Sequence, residues 1–205
     1  CVDSNFLYRY LDVILDHAGS SFYAYNPWVN RLSFIWSSES FKSYPELISD
    51  YLFERTNDKK WIYSMVISQL LLHRREDSAK IVERQDAWIL HTIELYAMDS
   101  TRMHYFFGAI SESSTDRRKK ALERLLKLND DYAVFEILPL ESPRIGGSGS
   151  MIPYIQARID YLSSLKPLLT GMKFLKHRQR IEQSIASWKE QIKHEEIREL
   201  LNSLG

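Results

Sequence analysis

The chain has almost nothing with which to staple itself together. A single cysteine among 205 residues excludes an internal disulfide. The six histidines, His17, His73, His91, His104, His177 and His194, form no zinc-binding spacing. Packing alone must therefore hold the fold, and an intracellular, cytoplasmic protein is the simplest expectation. The alternative for Cys1 is the acylated first residue of a bacterial lipoprotein. No initiating Met is present, which suggests a fragment of a larger protein. No apolar run approaches the roughly eighteen residues of a membrane span. Charge of one sign is also missing: 27 basic residues face 27 acidic ones, which argues against a generalised polyanion binder. Residues 1 to 100 hold 10 Lys and Arg against 14 Asp and Glu, and the remainder hold 17 against 13, so an anionic partner would meet the second half.

Catalytic signatures are absent as well. The glycine run Gly146-Gly147-Ser148-Gly149 leads through Ser150 to Met151, without the Gly-Lys-Ser/Thr that a phosphate-cradling Walker loop needs. No serine stands in a Gly-x-Ser-x-Gly turn, and no His-Glu-x-x-His pair occurs. His91 and Glu94, three apart on one helical face, suit an exposed salt pair as well as a metal site. Neither a metal nor a cofactor is expected, and no segment recommends an enzyme.

What the chain does have is helical periodicity. Phe6, Leu7, Tyr10, Leu11, Ile14 and Leu15 place an apolar stripe on a helix over about 4 to 17, capped by Asp3 or Ser4 and stopped by Gly19. Asn26-Pro27 opens a second helix through Trp36, and Pro45 a short third one. Further stripes run from Asn57 to Arg74 and from Ser78 to Tyr96, followed by helices near 101 to 111 and 115 to 128. Short links make consecutive helices antiparallel neighbours. The expected fold is therefore all-α: about eight helices in an irregular array or bundle, with a HEAT-like solenoid as the variant, although no fixed repeat period is found.

The expected organisation is a multi-helix domain over 1–141, a Gly/Ser loop or designed linker over 142–150, and a helical hairpin over 151–205 packed on the first part. In the hairpin, Ile181, Ile185, Trp188 and Ile192 step four, three, four in one stripe, preceded by Phe174 and Leu175 and followed by Ile197, Leu200 and Leu201, which makes a last helix of about thirty residues. An end reaching past its support would present a coiled-coil-like face to a partner or a second copy.

Two kinds of site follow. The Ser20–Tyr25 loop, with Phe22, Tyr23 and Tyr25, and the stripe Ile181, Ile185, Trp188 and Ile192 are the protein-binding candidates. Two cationic groups are the anion-binding candidates: Arg117, Lys120, Arg124 and Lys127, spaced to share one exposed face, and Lys173, Lys176 and Arg180 at the start of the last helix. Cations at that start oppose the helix dipole unless acids lie nearby. The preferred reading is a non-enzymatic protein-interaction or scaffold module. The alternative is a nucleic-acid-associated domain using the basic faces, and the third is a helical enzyme with dispersed catalytic residues.

Overall fold

A computed structural model describes residues 4–18, 34–37, 44–71, 79–110, 114–130 and 150–204. Among these residues the protein is all-α, with eight helices of ten residues or more, one single-turn helix and no strand. In chain order they are α1 (Ser4–Ala18), α2 (Phe34–Ser37), α3 (Tyr44–Arg55), α4 (Lys60–Leu70), α5 (Ala79–Tyr96), α6 (Ser100–Ala109), α7 (Thr115–Leu128), α8 (Ile152–Leu165) and α9 (Leu175–Leu204). The chain falls into two compact units, Cys1–Asn129 and Asp130–Gly205. The loop aromatics Phe22, Tyr23 and Tyr25, most of the expected second helix, and the glycine run lie outside the described residues.

In the first unit the spacing of apolar residues decides which face each helix buries. Leu7, Leu11 and Ile14 of α1 are buried at three- and four-residue steps, as are Ile48 and Leu52 of α3. The two helices pack together, with Tyr8 stacked on Tyr51 at 4.6 Å between ring centres. The Tyr51 hydroxyl donates to Asp12 at 2.6 Å. The most extensive packing in this unit joins alternate rather than consecutive helices: α4 lies on α6, and α5 beside α7. Ser64 of α4 donates to the Tyr105 carbonyl of α6 at 2.7 Å. Helices α5 and α7 run in the same direction, because their bonds advance together along both: Asp86 to Arg117, Glu94 to Arg124, and the Ala97 carbonyl to Asn129. Side-chain caps start α6 and α7, where Asp99 accepts from the Arg102 N–H and Ser114 from the Arg117 N–H.

A polar knot ties four of these helices. Buried Arg102 of α6 pairs with Asp50 of α3 and bonds Ser49, whose hydroxyl lies 3.1 Å from that of Tyr63 in α4. The Tyr96 hydroxyl of α5 reaches Asp50 at 2.7 Å, and the Arg102 guanidinium covers the Tyr96 ring at 3.5 Å. Burial raises the Tyr63 hydroxyl above its ordinary pKa, which keeps it protonated as a hydrogen-bonding member of the knot.

The second unit is a hairpin. Ile155, Ile159, Leu162 and Leu165 of α8 are buried, together with Leu169, Phe174 and Ile181 after it. The helices are joined by single 3-10 turns at Lys166–Leu168 and Met172–Phe174. Between the turns Gly171 takes φ 88°, a left-handed conformation that glycine adopts without a Cβ clash. Ser150 accepts the Ile152 N–H at 3.3 Å at the start of α8.

Candidate interaction surfaces

Helix α9 is longer than its support. Its 30 residues against the 14 of α8 correspond to about 45 and 21 Å at 1.5 Å per residue. Ile181 is buried, and Ile185, Trp188 and Ile192 are half-buried. The Arg158 guanidinium of α8 sits 5.4 Å from the Trp188 ring centre, and Lys166 pairs with Glu182 at 2.9 Å. The overlap ends where Met151, Tyr154 and Arg158 meet Gln191, His194 and Glu195 around a cleft of about 200 Å³. The four candidates at 181, 185, 188 and 192 therefore form the inner seam of the hairpin.

Beyond that point Ile197, Leu200 and Leu201 are 55%, 60% and 64% exposed. They lie on a different side of the helix from the seam. At about 100° per residue, the seam centres near Ile192, whereas these three centre roughly 130° round the helix. Three- and four-residue steps from Ile192 lead instead to the half-buried Glu195, which pairs with Arg198, and to the half-buried Glu199. The apolar trio thus occupies a separate face, turned away from the α8 side.

The cationic candidates divide differently from their spacing. Arg117 is not on an exposed face: it is buried, and its guanidinium bonds Asp86 at 2.6 Å, Gln85 at 3.1 Å and the Leu71 carbonyl at 3.4 Å. It stands one turn before Ala121 and two before Leu125, both buried, so the helix turns it inward. Arg124 pairs with Glu94, and Lys120 with Asp116 at 3.3 Å. Lys127 is exposed at the end of the same helix. At the start of the hairpin's long helix, Lys173 pairs with Asp130 and holds that carboxyl below its usual pKa, while Lys176 and Arg180 are exposed. Arg178 turns back to donate to the Leu169 and Gly171 carbonyls at 2.6 and 2.8 Å. Cations gathered at this helix start are thus offset by an acid and by turn carbonyls within the unit.

The chain was compared with family models, curated proteins and solved structures. None of the three gives a significant match.

A larger cleft of about 470 Å³ runs along α5 over Trp36 and Trp88, whose rings meet edge to face at 5.8 Å. Glu46 and Glu83 share its walls with Lys80, Arg84 and His91. Among the described residues, Glu46 Oε2 and Trp88 Nε1 are buried without hydrogen-bond partners. His91 Nδ1 is 3.9 Å from Glu94, a carboxylate already held by Arg124. Among the described residues no three His, Cys, Asp or Glu side chains gather as metal ligands, and no helix is long and apolar enough to cross a membrane.

Sequence reasoning anticipated an exposed end of α9 but did not place Ile197, Leu200 and Leu201 on a different side from Ile192, although a signal for it exists. The step from Ile192 to Ile197 is five residues, which breaks the three-four rhythm and moves the stripe to another side.

Proposed function

We propose that this protein is a non-enzymatic binding module and that the last turns of α9 are its contact element. The observation that carries this reading is the exposed trio Ile197, Leu200 and Leu201 on a face the hairpin does not use. Three large apolar side chains at i, i+3 and i+4 on a helix end are the anchor pattern of helix-in-groove recognition. Exposed apolar patches of this kind mark association surfaces more often than isolated apolar residues do. The candidates Ile181, Ile185, Trp188 and Ile192 then hold the helix in place, while the distal trio makes the contact.

The test is a photoreactive amino acid placed at Leu201 or, as control, at Gln183 on the clamped half of the helix, in the full-length chain within cells. Protein adducts are expected at position 201 and not at 183, and Leu200→Glu should abolish them. Equal adducts at both positions, or none at 201, would refute the reading.

A further inference from the structure

We draw no further inference here: the strongest candidate, the cleft along α5 over Trp36 and Trp88, carries the carboxylates of Glu46 and Glu83 and the cationic side chains of Lys80 and Arg84 together on its walls, so its chemistry selects no class of ligand and nothing in the structure shows what occupies it.

Discussion

Replacing Arg117 with alanine should damage the protein far more than replacing Lys120, Arg124 or Lys127 of α7. The side chain is buried and makes three bonds, to Asp86, to the buried Gln85 and to the Leu71 carbonyl. Its loss leaves the Gln85 oxygen and the Leu71 carbonyl without this donor, at about 1–3 kcal/mol for each unsatisfied buried group. Removing one member of a buried ion pair costs about 3–5 kcal/mol, and that range is the expected total because Asp86 retains some contact with water. For a unit of this size the midpoint of thermal unfolding should fall by about 10–20 °C. Arg124→Ala is the internal control: its pair with Glu94 is more than a third exposed on both sides, so the loss should be about 0–1 kcal/mol. Arg117→Lys should fall between the two, since an ammonium keeps the charge but cannot fork to three acceptors. Urea denaturation followed by circular dichroism measures all three. If Arg117→Ala costs no more than Arg124→Ala, the inward placement of this guanidinium is wrong.

Other substitutions probe the remaining elements. Ile181→Ala should destabilise the hairpin by about 2–4 kcal/mol because the side chain is fully buried, whereas Ile197→Ala should change stability by less than about 0.5 kcal/mol; equal effects would remove the distinction between seam and tip. Asp130 should titrate below the ordinary aspartate value of 3.8 in the folded protein, with Lys173 as the cause. The pair's stabilisation is then complete above that value and lost as pH falls through the depressed one, and Lys173→Met should return the NMR-detected midpoint to normal. Reversing Lys120 and Lys127 to glutamate leaves the fold intact and tests the nucleic-acid alternative cleanly: salt-sensitive RNA or DNA binding that disappears in this variant would favour that reading over ours. Reversals that include Arg117 would unfold the first unit instead of reporting on binding.

Much of the architecture is legible in the sequence because apolar spacing and helix caps are local signals. The α1 stripe, the helix of α5, the extent of α7 and the thirty-residue length of α9 all follow from it. What spacing cannot tell is which face of a charged helix meets a neighbour. Arg117, Lys120, Arg124 and Lys127 share a rhythm, yet Arg117 turns inward because Asp86 and Gln85 wait on a helix about thirty residues earlier in the chain. That acid and amide are unremarkable in sequence, and only the parallel packing of α5 and α7 brings them into reach. The one local hint is the column Arg117, Ala121, Leu125, which places the arginine on the buried side. Similarly, Glu195 and Glu199 mark the end of the hairpin seam only once the length of α8 is known. The contact between alternate helices is a long-range property, and consecutive-neighbour reasoning does not reach it.

The unequal lengths of the hairpin arms also have a mechanical consequence. With α9 gripped up to Ile192, the last twelve residues act as a rigid lever about 18 Å long, at 1.5 Å per residue. A tilt of about 10° at the grip displaces the far end by about 3 Å, close to the rise of two residues along a helix. Small repacking under Trp188 and Arg158 would therefore be amplified into a change of reach at the tip, without any helix having to melt.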